Sequence, residues 1–135
     1  MRRGMSLIVL AIVSVASIAA AQSARLTAEE ARRELFGVEL IGVNETAGDE
    51  WRECIEPSGR TVFRRGDESL EGRLDIRPNG QACFNYGPLG GQACFEVVRE
   101  GANYRFGDFV TRSVRRGVRE CGAATGAYVR LGADS

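Results

Sequence analysis

The stretch that decides the fold is GQACFNYGPLGGQACFEV, residues 80–97, in which the segment GQACF stands on both sides of a turn-forming centre. In that centre, Gly87-Pro88-Leu89-Gly90, Pro at the second position and Gly at the fourth favour a type I turn. No longer repeat occurs in the chain. We therefore interpret the doubled segment as the local symmetry of a β-hairpin.

The position of this turn determines which residues face each other across the hairpin. A turn centred in the tetrapeptide sets Cys83 opposite Cys94, and cross-strand neighbours have Cβ atoms close enough for a disulfide. The same register places Phe84 and Phe95 on one face. A shift by one residue would put the two rings on opposite faces and expose one, at a cost of about 1.5–3 kcal/mol. We therefore predict a Cys83–Cys94 bridge.

On both sides of the hairpin the apolar pattern has a period of two, and turn-forming residues such as Asn79-Gly80 separate the segments. Short, evenly spaced strands favour an antiparallel meander that curls into a partial or closed small barrel. We predict a mainly β fold in a single domain, residues 22–135. The predicted strands are Val38–Val43, Glu50–Glu56, Arg60–Arg65, Leu70–Ile76, Gln81–Tyr86, Ala93–Arg99, Tyr104–Val110 and Tyr128–Leu131.

A short helix precedes the strands. Thr27 and Glu30 have the spacing of a capping box, in which each side chain bonds to the other residue's backbone N–H. Gly37 is a suitable stop. We predict a helix over Ala28–Phe36 whose apolar stripe, which includes Leu35, lies on the sheet or closes one end of a barrel.

The first residues have the composition of a cleavable export signal. Arg2 and Arg3 precede the apolar segment Leu7–Ile18, and small residues end at Ala21. The apolar segment is shorter than the ~20 residues of a membrane-spanning helix. We predict a signal peptide over residues 1–21, with a cut after Ala24 as the second choice and a retained anchor as the alternative. The mature chain is expected in the periplasm or secreted.

The chain has four Cys, and an even count in a small exported domain indicates disulfides. With Cys83 paired to Cys94, the second predicted bridge joins Cys54 to Cys121. The sequence has neither a C-x-x-C redox motif nor the close ligand pairs of a four-Cys metal site. Free thiols or a metal site are the alternatives.

Composition excludes several chemistries. All 18 basic residues are Arg, and the chain has no Lys and no His. Ser-His and Cys-His nucleophile pairs, His-ligated zinc and lysine Schiff bases are therefore excluded. The near balance of acidic and basic residues argues against a nucleic-acid partner. We predict no cofactor and no metal.

Three groups of residues are weak candidates for a site. Glu53 lies between Trp51 and Ile55 on the apolar face of its strand, where a carboxylate would have a raised pKa or an Arg partner and could serve as an acid; the alternative, which we favour, places it at a wet strand end. An arginine run could contact anions or lipid headgroups, although a solvated loop or an edge-strand guard is the simpler interpretation. Its members are Arg112, Arg115, Arg116 and Arg119. The aromatic side chains could line a pocket, but filling the core is the simpler interpretation. They are Trp51, Phe63, Phe84, Tyr86, Phe95, Tyr104 and Phe106.

The order of several short motifs resembles a family of small exported bacterial proteins of unknown function. The resemblance covers residues 26–106 and implies an exported helix-plus-β-meander domain, without an activity or catalytic residues to transfer. The motifs are Leu26-Thr27-Ala28-Glu29-Glu30, Trp51-Arg52-Glu53, Pro57-Ser58-Gly59, Gly72-Arg73-Leu74, Cys83-Phe84-Asn85-Tyr86 and Cys94-Phe95-Glu96-Val97, followed by Gly101 and Tyr104. Cys121 lies outside this pattern.

Three functions remain open from the sequence. The first is a non-enzymatic module of the bacterial envelope that binds a protein or a polymer, acting as a monomer without a stable membrane span after signal cleavage. The second is a lipocalin-like carrier of a small apolar ligand, which would need a cavity of several hundred Å³. The third is a hydrolase that uses Glu53 with a second inward carboxylate.

Overall fold

The structure is a computed structural model that describes residues 24–124. The predicted leader, residues 1–21, and the predicted strand Tyr128–Leu131 lie outside the described residues. Within them, no helix is both long enough and apolar enough to span a membrane.

The part of the chain that the structure describes forms one antiparallel sheet that curls into a half-barrel, which confirms the predicted mainly β fold. The strands lie side by side in the order β1-β8-β9-β10-β2-β3-β4-β5-β6-β7. The strands are β1 Ala24–Arg25, β2 Val38–Asn44, β3 Glu50–Ile55, β4 Arg60–Arg65, β5 Glu68–Ile76, β6 Ala82–Asn85, β7 Gln92–Phe95, β8 Val97–Glu100, β9 Asn103–Phe106 and β10 Phe109–Arg116, and the helices are α1 Ala28–Glu34 and α2 Gly87–Gly90.

The central hairpin has the predicted register, with Cys83 directly opposite Cys94 and a disulfide between them. The turn differs from the prediction, because Gly87–Gly90 forms one turn of helix instead of a type I turn. The Gly91 N–H donates to the Gly87 carbonyl oxygen at 2.8 Å. The central residues of a type I turn have nearly the same right-handed backbone angles as residues of a helix. A type I turn therefore becomes one turn of helix when one more residue adopts these angles.

The predicted strand Ala93–Arg99 is wrong as a single unit, since the chain leaves the ladder at Glu96. The half before Glu96 pairs with β6, whereas the half after it pairs with β9 and β1. These two halves belong to opposite ends of the sheet order. Because one residue joins them, the ends of the sheet must lie close together, and the sheet has to curl.

The predicted strand Tyr104–Val110 is also wrong, because Gly107 and Asp108 form a two-residue turn inside it. Gly107 has a φ of 60°, a left-handed value that suits tight hairpin turns. The chain then continues as β10 to Arg116, between β9 and β2. The sequence prediction missed most of this strand because its last residues are mainly charged.

Helix α1 begins with the predicted capping box. The Glu30 N–H donates to Thr27 Oγ1 at 3.2 Å, and the Thr27 N–H donates to Glu30 Oε2 at 2.8 Å. The helix ends at Glu34, two residues before the predicted end, and Leu35 is its C-cap. Gly37, with a φ of 69°, then turns the chain into β2.

The second predicted disulfide, Cys54–Cys121, is also present. It fastens residues 117–124, which we call the C-terminal strap, across the outer face of the sheet. The Cys121 N–H donates to Glu56 Oε2 at 2.9 Å, and the Val118 N–H donates to the Gly37 carbonyl oxygen at 2.9 Å. The strap therefore covers the outer face of β3.

Candidate functional site

The inner face of the half-barrel has two ends that differ in how they are filled. At the first, the packed end, α1 and the residues beside it close the sheet. Side chains there are almost completely buried: Leu26, Ala31, Leu35, Val38, Ile55 and Val97. These aliphatic groups belong to the cluster of buried residues that forms the hydrophobic core.

At the other end the inner face surrounds a cavity of about 200 Å³, which we call the aromatic pocket. Its walls are mainly aromatic rings in tilted or edge-to-face contact; the Trp51 and Phe109 ring centroids, for example, are 5.6 Å apart. The lining residues are Leu40, Trp51, Glu53, Phe63, Leu70, Phe84, Tyr86, Gly90, Ala93, Phe95, Phe106 and Phe109.

Glu53 is the only carboxylate among these lining residues. Its side chain is only 3% exposed, so the wet strand end that we favoured from the sequence is wrong. The residue lies in the middle of a strand that is paired on both sides, which keeps water away. The Tyr86 hydroxyl donates to Glu53 Oε2 at 2.7 Å.

Burial raises the pKa of Glu53 well above its ordinary value of 4.5, and the hydrogen bond from Tyr86 offsets only part of this effect. Burial likewise raises the pKa of Tyr86, and the nearby Glu53 adds to that shift. Burial therefore favours the neutral form of each group, a carboxylic acid for Glu53 and a phenol for Tyr86.

Glu53 differs from most acidic side chains of the described region, which pair with arginine. Arg105 bonds to both Glu45 and Glu100, and Arg60 bonds to both Glu56 and Glu71. Glu53 forms no ion pair within residues 24–124, and its Oε1 atom has no hydrogen-bond partner there. The neighbouring Trp51 Nε1 has none either.

The four arginines of the predicted run do not act as one group. Arg115 pairs with Glu39 at 3.2 Å. Arg116 donates to the Tyr104 hydroxyl oxygen at 2.7 Å. Arg112 and Arg119 are exposed and form no ion pair with another described residue. Arg112, Arg115 and Arg116 lie on an interior strand, β10, so the solvated-loop and the edge-strand guard interpretations are both wrong for these three.

No group of three or more His, Cys, Asp or Glu residues in the described range could hold a metal ion. The pocket lining supplies one carboxylate, whereas hydrolysis by a carboxylate pair needs two. The arrangement is instead suited to holding an apolar molecule, since its only polar lining groups are the acid, the phenol and the indole N–H.

Comparison with protein-family profiles, with curated proteins and with solved structures found no match for this chain. The resemblance to small exported bacterial proteins therefore stays a prediction. The arguments on function that follow depend on the geometry of the aromatic pocket.

Proposed function

We propose that this domain is a non-enzymatic binding module that holds a small, mainly apolar molecule in the aromatic pocket. The observation that carries the proposal is the cavity itself. The pocket is open to the surface on one side, and its lining is almost entirely apolar. A cavity of about 200 Å³ with aromatic walls is the usual form of a site for an apolar ligand.

The size of the pocket limits the ligand. An apolar cavity of about 150 Å³ is enough to bind benzene, whereas pockets for drug-sized molecules start at about 300 Å³. The ligand of this pocket is therefore a molecule of one or two rings, or a short branched chain. It is smaller than the cargo of a lipocalin-like carrier.

The compartment is part of the proposal. The leader-like residues 1–21 and the two disulfides support export to an oxidising space, the periplasm or the medium. We place the domain there as a monomer that binds its ligand after signal cleavage.

Binding of an envelope protein or polymer through an exposed face is less well supported. Within residues 24–124, Leu89 is the only large apolar side chain that is exposed. A single side chain does not make a docking surface.

Fluorescence provides a direct test, because Trp51 is the only tryptophan of the chain and lines the pocket. Toluene and indane should change its emission in a saturable way. Ala93→Leu adds bulk at the pocket wall and should weaken binding at least tenfold. Gln92→Leu is the matched control, since it places the same leucine side chain on the same strand at an exposed position outside the pocket lining.

Two results would contradict the proposal. The first is the absence of saturable binding of either probe to the wild-type domain. The second is an equal loss of affinity in Ala93→Leu and Gln92→Leu, which would place the binding elsewhere.

A further inference from the structure

We propose that the ligand of the aromatic pocket is a neutral ring compound with a hydrogen-bond-accepting oxygen, such as an aryl ketone, and that Trp51 Nε1 and Glu53 Oε1 both donate to it. This inference rests on the proposed function and adds the chemical class of the ligand. It starts from polar atoms that the fold leaves without partners.

Three buried side-chain polar atoms have no hydrogen-bond partner within residues 24–124: Trp51 Nε1, Glu53 Oε1 and Thr61 Oγ1. The first two belong to side chains that line the pocket. Trp51 and Glu53 are two residues apart on one strand, so both side chains leave the same face, about 7 Å apart along it. A buried polar atom without a partner destabilises the fold, and such atoms are expected mainly where a site needs them.

The hydrogen bond from Tyr86 determines what Glu53 offers to a ligand. Because the Tyr86 hydroxyl donates to Oε2, the acid proton of neutral Glu53 lies on Oε1. The indole Nε1 of Trp51 is a donor only. The pocket therefore holds two unused donors, and an oxygen with lone pairs is the group that satisfies them.

Charged ligands fit less well. The pocket lining contains no arginine, so an anion would be buried without a cation. An ammonium group would suit an ionised Glu53 and the aromatic faces, but its charge would lie near the positive end of the Trp51 N–H dipole. A neutral oxygen is compatible with both donors at once.

Both donor atoms are shielded from bulk water. A ligand therefore reaches them only if the rings beside them give way as it enters. A hydrogen bond from Trp51 Nε1 to the ligand can be followed through the NMR signal of the indole proton, because the chain has a single indole N–H.

The test compares ethylbenzene with acetophenone, which have the same ring and differ mainly in the carbonyl group. Isothermal titration calorimetry on the mature wild-type domain gives the affinities. We expect acetophenone to bind about five- to tenfold more tightly, the effect of one or two hydrogen bonds. The indole proton of Trp51 should shift downfield in the NMR spectrum with acetophenone and not with ethylbenzene.

Substitutions of Trp51 and Glu53 test whether these two hydrogen-bond donors cause the preference for acetophenone. Glu53→Leu and Trp51→Phe should each reduce the preference for acetophenone to about twofold or less. Glu53→Gln is the matched control, because its amide group keeps a donor and the side chain keeps its shape, and it should retain the preference. Each variant is first checked for a wild-type circular dichroism spectrum; if Glu53→Leu fails to fold, the indole shift and Trp51→Phe decide.

The outcomes separate the two proposals. Equal affinities for ethylbenzene and acetophenone would overturn this inference and leave the proposed function intact. Tighter binding of phenethylammonium than of acetophenone would also overturn it, in favour of a cationic ligand. If none of the three compounds binds, the proposed function itself fails.

Discussion

The packed end and the aromatic pocket belong to the same inner face, yet they differ in what their large side chains do. At the packed end Leu35, the C-cap of α1, and Ile55 are completely buried. At the pocket the rings are larger, but several of them, including Phe63, Phe95 and Phe109, are only partly buried. The size of the side chains therefore does not decide whether an end is filled.

What decides it is the element that covers each end. The capping box starts α1 at the residue where it can lie over the sheet, and Leu35 extends the buried stripe past the helix. The pocket end has only the short turn Gly87–Gly90 near it, and Gly90 contributes no side chain to the lining. We therefore expect the packed end to contribute most of the stability and the aromatic pocket to contribute ligand binding. The following experiments compare the two ends.

The largest effect is expected at the packed end. Leu35→Ala removes three methyl or methylene carbons from a completely buried site and should lower the free energy of unfolding by about 4 kcal/mol. Phe109→Leu removes as many carbons from the pocket edge and should cost less than about 1.5 kcal/mol, because that ring is already half-exposed. Urea denaturation measures both. Equal costs would show that the two ends are packed alike.

A second experiment removes the bridge that holds the pocket wall. Cys83→Ala combined with Cys94→Ala should lower the free energy of unfolding by about 3 kcal/mol in the loop-entropy argument, since the bridge closes a short loop. Strand β7 pairs only with β6 among the described strands, so its pocket residues should also loosen. We expect at least threefold weaker binding of indane.

The control is the double variant Cys54→Ala with Cys121→Ala, whose bridge lies on the outer face. It should retain the affinity for indane at temperatures where it is folded. Loss of affinity in the control, or its retention without the Cys83–Cys94 bridge, would contradict the assignment of that bridge to the pocket wall.

The smallest effect concerns the buried acid. Because the pKa of Glu53 is raised in the folded state, folded protein keeps a proton that the unfolded chain releases above about pH 4.5. This group therefore lowers the stability of the fold progressively as the pH rises from that value towards its folded pKa. Glu53→Gln removes the effect, so its stability relative to wild type should rise between pH 4 and pH 7, as measured by urea denaturation at each pH.

Tyr86→Phe sharpens this measurement, because the hydrogen bond from Tyr86 lowers the pKa of Glu53. Without the hydroxyl, the pH-dependent loss of stability should extend to higher pH. A difference between Glu53→Gln and wild type that is constant with pH would show that Glu53 is not buried as described.

Local signals predicted much of the fold. The Pro and Gly residues of the central turn determined the Cys83–Cys94 register, and Thr27 with Glu30 determined the start of α1. These features depend on residues close together in the chain, so the sequence carries them directly. The Cys54–Cys121 bridge followed only because the other two Cys were already paired.

Features that depend on distant partners were not predictable in this way. The break at Glu96 exists because β7 and β8 bond to different strands, and nothing in the local alternation shows this. Strand β10 resembled a solvated loop in the sequence because its last residues are mainly charged. The carboxylate that pairs with Arg115 belongs to Glu39 on another strand, so the local sequence does not show it. The alternation around Glu53 did indicate an inward side chain, but an inward position does not say whether space is left beside it.

The pairing of β10 with β2 has a consequence for the time at which this protein folds. The strand that begins at Phe109 completes the ladder of the strand that begins at Val38. At the edge of the sheet β1 pairs with β8, and the next residue, Leu26, donates its N–H to the Val97 carbonyl oxygen. A growing chain can therefore pair β2 with β3 early, but the second partner of β2 is missing until more than 100 residues have been made. Because contacts of such long sequence separation form slowly, the closure of the sheet by β10 is expected to follow the formation of the local hairpins from β2 to β7. The sheet is therefore complete only after β10, the last of its strands along the chain, has been made.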